Sequence, residues 1–295
     1  MSVPKEDFWY WINERHRIYL KKQEGGATHP LTDDPILQRF SFTNVFRELD
    51  RTTVWVRENI RSRYEGPDLI FLLALFRQTG TIEAGIHMLQ LFDNGDFEHD
   101  LFADEMHEFQ LNGGQLFTGA YMVTGSLPGG KGRPKIYSIL EHAIQPVWKH
   151  REAIYKLARK TKSIEQTTRA FCGYPGWGGN NFMAYEVTSD LRHTPILNDA
   201  HDIMTWANPG PGAQRGLCRI AGEDFSMGRG AGSRPKDQCI VEMQELLKES
   251  PRFLEPHVPP LEMREIEHSL CEFDKWSRVK NGEGRPRSLY RGGAK

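Results

Sequence analysis

Apolar residues recur every three or four positions over most of this chain, a spacing that predicts helices rather than strands. Residues 7 to 22 make one amphipathic stretch, ended by Gly25-Gly26. Phe42, Val45, Phe46, Leu49 and Thr53 mark a second helix over 42 to 61. Residues 67 to 78, which contain 69-LIFLLALF-76, are apolar nearly all round and predict a helix inside the core. Thr81 is placed to cap a fourth helix that runs through Leu91. The acidic stretch from 93 to 115 reads as irregular, and 116-LFTGAYMVT-124 fits strand and helix equally. Residues 136 to 161 predict one or two helices with a break near Pro146. Ser163 and Gln166 have capping-box spacing for a helix reaching about Phe171. Beyond the turn-rich 173-GYPGWGGNN-181, helices are predicted near 181–192, 196–206, 212–220, 236–249 and 260–279. Residues 222–235 read as a flexible loop and the last 15 as a mobile basic tail. The fold class is mainly α. A single helical domain spans 1–280, divisible into lobes at about 130, with a tail over 281–295.

At 295 residues, 38 % apolar and 26 % charged, the chain can fill a core, and disorder is not the expectation. The opening MSVPKEDFWYW lacks the features of a signal peptide, and no apolar run is long enough to cross a bilayer. Cys172, Cys218, Cys239 and Cys271 form no CxxC pair and read as reduced thiols of a cytoplasmic protein, with no zinc site. A net charge of −1 conceals two poles. Residues 83 to 108 carry eight carboxylates and no Lys or Arg, whereas 149 to 162 carry six Lys and Arg against Glu152 alone. With the basic C-terminus, this pattern fits a local anionic partner as well as solvated faces.

The stretch 125-GSLPGGKG-132 has the outline of a phosphate loop, but Gly132 stands where Ser or Thr must meet magnesium, and Arg133-Pro134 interrupts the helix that should follow. More telling is 207-ANPGPGAQRGLCRI-220. A helix over 198–206, a Gly210-Pro211-Gly212 turn and a second helix from Ala213 have the form of a helix-hairpin-helix. Unused N–H groups at the second helix's start would attract a phosphate, with Arg215 and Arg219 adding charge. An ordinary helix–helix turn is the plain alternative. Three further stretches are rich in polar groups: 44-NVFRELDR-51 with Arg47, Asp50 and Arg51, 182-FMAYEVTSDLRHT-194 with Glu186, Asp190 and Arg192, and 267-EHSLCEFDKW-276 with Cys271, Glu272 and Lys275. Each fits either a buried ion-pair network or a site that holds an anion beside an amine.

The stretches 8-FWYWINERHRIYL-20, 33-DDPILQRFSFTNVFRELDRTT-53, 184-AYEVTSDLRHTPIL-197, 205-TWANPGPGAQRGL-217 and 267-EHSLCEFDKW-276 together resemble the alpha-glutamyl/putrescinyl thymine pyrophosphorylase family of phage DNA hypermodification enzymes. The resemblance runs in order from residue 8 to 276. The helical domain of phage hydroxymethyluracil DNA kinases is similar too, although no intact phosphate loop accompanies it here.

The resemblance implies a fold similar to helix-hairpin-helix DNA glycosylases. It implies a substrate of DNA carrying phosphorylated or pyrophosphorylated 5-hydroxymethyluracil. An amine such as glycine, serine, glutamate or putrescine would replace the (pyro)phosphate on a flipped base, with no membrane partner and no required cofactor. A monovalent cation at the hairpin is the one ion this reading allows. On these residues, Gly210, Gly212 and Arg215 would hold DNA backbone and Trp206 would stack on the base. Arg47, Arg51, Arg192 and Lys275 would face the leaving group. Asp190, Glu186 or Glu272 would take the amine's proton, with Asp50 beside Arg47 and Cys271 as a thiol candidate. A glycosylase using Asp224, or a non-catalytic DNA-binding module, are the competing readings.

Overall fold

The periodic apolar stretches do become helices. The structure, a computed structural model, describes residues 4–24, 29–93, 95–118, 132–178, 181–223, 234–286 and 288–290. Among them run α1 (Pro4–Gln23), α2 (Pro35–Arg39), α3 (Arg51–Val56), α4 (Gly66–Thr79), α5 (Ile82–Leu91), α6 (His99–Leu111), α7 (Lys135–Ile139), α8 (Gln145–Thr161), α9 (Ile164–Cys172), α10 (Phe182–Leu191), α11 (Pro211–Ile220), α12 (Lys236–Glu249) and α13 (Met263–Lys280). Two π-helical turns, Arg57–Arg61 and Leu140–Ile144, interrupt this series. No strand forms among the described residues; two isolated bridges pair Phe40 with Leu289 and Gly80 with Phe117. The fold is mainly α.

Caps fall where residue type places them. Thr81 Oγ1 accepts the Ala84 N–H at 3.0 Å, and Ser163 Oγ accepts that of Gln166 at 3.1 Å. Three expectations fail, each for a local reason. The helix expected over 42–61 starts only at Arg51, because Asp50 Oδ1 accepts both the backbone N–H and the side-chain amide of Asn44, at 2.9 Å each. Side-chain bonds of this kind offer the backbone an alternative to helix. Residues 93 to 115 are not irregular throughout: α6 buries Phe102, Ala103 and Met106 and turns its acidic residues outward. Residues 196–206 are turns rather than α-helix. There Asp202 accepts the N–H groups of Ile164 and Glu165, at 2.8 and 3.0 Å, and so serves the start of α9. The expected break near Pro146 is a π-turn running into α8, with the proline in that helix's first turn.

Gly25-Gly26, residues 119–124, most of the 125–132 loop, Asp224 with the rest of 224–233, and 291–295 lie outside the described residues. Within the expected tail, Leu289 makes the bridge noted above.

Two compact units divide the chain. One comprises residues 1–50 and 203–295, the other Arg51–Asp202. In the first, α13 packs on α1, α2, α11 and α12, and Phe8 meets Phe273 edge-on with ring centroids 5.5 Å apart. Trp276 Nε1 donates to Asp34 Oδ2 at 3.0 Å while Asp34 Oδ1 caps α2, which fixes α2 to α13. In the second, α4 is buried from Leu69 through Thr79 and is covered by α8 and α10. Phe71 there contacts Phe92, Phe97 and Trp148.

Candidate functional site

The glycines of the 210–216 turn lie against α13. A Cβ on Gly212 would stand 2.3 Å from Cys271 Sγ, and one on Gly216 would stand 2.4 Å from the Leu270 carbonyl oxygen. Both are therefore sites of close helix–helix approach, where a side chain has no room. Gly210 is buried, and its N–H donates to Glu267 Oε1 at 3.3 Å, so a carboxylate of the chain itself already occupies this helix N-terminus. Arg215 and Arg219 turn to α13 as well. Their Nε atoms donate to the two oxygens of the fully buried Asp274, at 2.8 and 2.7 Å, and Arg215 keeps about a third of its side chain exposed. Trp206 is half-buried just ahead of this turn.

Beside α13 the first unit assembles a charged cluster. Residues 42 to 46 lie outside any helix, which lets the Thr43 N–H donate to Glu272 Oε2 at 3.3 Å and places Thr43 Oγ1 2.5 Å from His268 Nε2. Lys275 pairs with Glu272 one turn away. Arg15 of α1 is buried, and its Nη2 donates to Asn44 Oδ1 at 2.7 Å and to the Phe42 carbonyl at 3.2 Å. Asn44 passes the contact on to Asp50, whose second oxygen lies 3.4 Å from Arg47 Nε.

Electrostatics separate these groups. Burial raises Asp50 above the ordinary carboxylate value, although Arg47, the Asn44 N–H and Arg15 oppose the rise. Burial, reinforced by Arg47, Arg264, Lys275 and Arg15, holds His268 well below its ordinary value, so its imidazole is neutral. Burial likewise pushes the Cys271 thiol up to about 12, with the charges of Glu272 and Glu267 adding to it. A thiol held there is not a nucleophile near neutral pH, which argues against the covalent role expected for Cys271. What the cluster offers is a carboxyl poised toward protonation beside Arg47, with Lys275 at its more exposed edge.

The second unit holds the other half of the sequence candidates. Both oxygens of Asp190 are taken by the fully buried Arg77, from Nε and Nη2 at 2.6 Å each, and Glu186 lies 3.3 Å from Arg77 Nη1. This is the ion-pair network that the 182–194 stretch allowed. Arg192 donates weakly to the Asn198 carbonyl at 3.4 Å, and Arg51 is exposed. On α8, Lys149, Lys156 and Lys160 are exposed, while Arg151 and Lys162 are paired with Asp68 and Asp199.

Thus Arg47, Asp50, Cys271, Glu272, Lys275 and the glycine turn belong to one unit, and Arg51, Glu186, Asp190 and Arg192 to the other. Sequence reading passed over Arg15, Asn44, His268 and Arg77. Two of these carried a signal: Arg15 lies on the apolar stripe of α1 with Trp11 and Ile18, and Arg77 lies in the last turn of α4 within its buried stretch Leu69–Thr79, where a cation requires a partner. Among the described residues, no group of three or more His, Cys, Asp or Glu could hold a metal ion, and no helix is long and apolar enough to cross a membrane.

No solved structure matches the chain. A curated relative, the 5-hmdU DNA kinase of Bacillus phage SP10, is 29 % identical over 227 residues, covering 70 % of this chain. The chain spans about a third (35 %) of that protein's length. The model of the 5-hmdU DNA kinase helical domain matches residues 3–285, and the chain belongs to that family.

Proposed function

We propose that this chain modifies a thymine-derived base in DNA by exchanging the (pyro)phosphate on its 5-methylene carbon for an amine. The relative's name supports DNA bearing 5-hydroxymethyluracil as the substrate class. The observation that carries the chemistry is the Arg47–Asp50 arrangement: a carboxyl raised by burial, 3.4 Å from a guanidinium, in the same unit as Lys275 and the neutral His268.

The amine nitrogen attacks the methylene carbon as the C–O bond breaks, and (pyro)phosphate departs with the bonding electrons. Arg47 and Lys275 stabilise the charge on the leaving group, and Asp50 accepts the proton that the attacking amine must shed. Asp50 is preferred to Asp190 because Arg77 engages both Asp190 oxygens, and to Glu272 because Lys275 and Thr43 engage that carboxylate. The target base is shielded within a duplex, so it is flipped out to react. DNA backbone contacts fall to the exposed lysines of α8. The likeness to helix-hairpin-helix glycosylases now rests on α11 and its glycine turn, without the helix before it.

The test is incubation with DNA carrying phosphorylated or pyrophosphorylated hydroxymethyluracil and a set of amines, then digestion to nucleosides and mass spectrometry. An amine adduct equimolar with released phosphate or pyrophosphate is the expected result. Base loss without amine would instead show a glycosylase, and DNA binding with no product a recognition module.

A further inference from the structure

The first unit also contains a cavity of about 430 Å³, within the size range of small-molecule sites. It shares Arg15 and Phe42 with the charged cluster but is otherwise lined by different residues. Arg15, Ile18 and Lys22 face it from α1, at positions that recur on one helical stripe. Leu37, Phe40 and Phe42 supply apolar surface. Tyr290 completes the lining, held there by two chain contacts: its N–H donates to the Arg39 carbonyl, and the Ser41 N–H donates to that of Ser288, each at 3.0 Å.

Charge in this cavity is one-sided. Two cations line it, and none of its described lining residues is Asp or Glu. The carboxylates acting on Arg15, Asp50 and Glu272, belong to the neighbouring cluster. Lys22 has an aromatic face instead, its Nζ 4.5 Å from the centre of the Tyr290 ring. Lys22 is solvent-exposed as a residue, but the partial desolvation of its ammonium and the Arg15 charge both lower it from its ordinary value. Arg15 Nη2 is committed to Asn44 and Phe42, but its enclosed Nη1 makes no hydrogen bond. Positive charge with no carboxylate in the cavity's described lining, set against apolar walls, is unfavourable, and an anion of suitable size relieves it.

We propose that this cavity binds a small organic anion, its carboxylate or phosphate group held between Arg15 and Lys22 and its apolar body against Phe40, Phe42 and Leu37. This site stands independently of the amine-transfer reading.

Titration calorimetry on the full chain tests it with benzoate, phenyl phosphate, benzyl alcohol and inorganic phosphate. Benzoate or phenyl phosphate binds, and whichever binds tighter identifies the anionic group. Benzyl alcohol, lacking the charge, and inorganic phosphate, lacking the apolar body, bind at least about tenfold more weakly. Lys22 is exposed, so Lys22→Met keeps the fold and weakens the favoured anion roughly tenfold. Leu37→Trp fills the cavity and abolishes binding, with folding checked by circular dichroism. Equal binding of benzyl alcohol or of inorganic phosphate, unchanged affinity in Lys22→Met, or no binding of either organic anion at millimolar concentration overturns the proposal.

Discussion

Asp50, half-buried, and Asp190, fully buried, each lie beside an arginine, yet their surroundings give them opposite prospects. Asp190 is locked by two short bonds to Arg77, whereas the second oxygen of Asp50 lies 3.4 Å from Arg47 Nε and accepts no hydrogen bond among the described residues. Asp50→Asn should therefore lower the rate of amine transfer by about 100-fold or more while DNA affinity holds. Asp190→Asn should act on stability instead, by about 3 kcal/mol, because it leaves the Arg77 charge half-compensated in the core. Chemical denaturation and single-turnover transfer assays on both variants separate the two outcomes; a catalytic loss in a stably folded Asp190→Asn would reverse the assignment. Cys271 belongs to the same comparison. With its thiol pushed up to about 12, Cys271→Ser should transfer within about twofold of the unsubstituted chain. Loss of an amine-dependent product on that substitution would restore the covalent route.

At the level of elements, α11 and α13 touch through two glycines whose neighbours differ in how far they can yield. Opposite Gly212 stands the Cys271 side chain, and opposite Gly216 the Leu270 backbone carbonyl. Gly216→Ala should thus cost more stability than Gly212→Ala, both in the range of about 1–3 kcal/mol or above typical of overpacking. Cys271→Ala should relieve part of the Gly212→Ala loss and none of the Gly216→Ala loss, a difference that a double-mutant cycle in denaturant measures. The start of α13 carries a second strain. Glu262 and Glu265 cap each other's backbone, and burial, aided by the Glu262 charge, raises Glu265 to about 7. Since the folded value lies above the unfolded one of 4.5, the unfolded chain loses this proton first. Stability contributed by protonated Glu265 is full below about 4.5, falls as pH rises through 7 and stays level beyond, by up to about 3 kcal/mol. Glu265→Gln should flatten that decline in melting temperature between pH 4.5 and 8; an unchanged slope would remove Glu265 as its source.

Across the whole molecule, local pattern was legible and distant partnership was not. The apolar run that became α4 and the segment that became α12 could be read directly, because their neighbours in sequence determine their helical face. Residues 42–50 failed as the start of a helix because one amide, Asn44, prefers Asp50 to the helical ladder, and 196–206 failed because Asp202 serves another helix. Arg77 finds Asp190 113 positions away, a distance over which no periodicity speaks. For the site, the polar stretches were visible, but the division of labour between them came from burial. Charge follows the same rule. The basic run at 149–162 was visible, and the structure sorts it: Arg151 and Lys162 are paired, whereas Lys149, Lys156 and Lys160 are exposed and make no ion pair among the described residues. Lys156 and Lys160, four apart on α8, share one face and can neutralise two phosphates. Arg215 contrasts with them, since its Nε serves the buried Asp274. Lys156→Gln with Lys160→Gln should then weaken DNA binding and reduce the slope of log affinity against log salt by about 2, at unchanged stability. Arg215→Ala should lower stability more than it alters that slope. DNA-binding isotherms over a range of salt concentrations, with melting curves alongside, decide it: an unaltered slope in the double lysine variant would take α8 out of the DNA-binding surface, and a large slope change in Arg215→Ala would return the glycine turn to it.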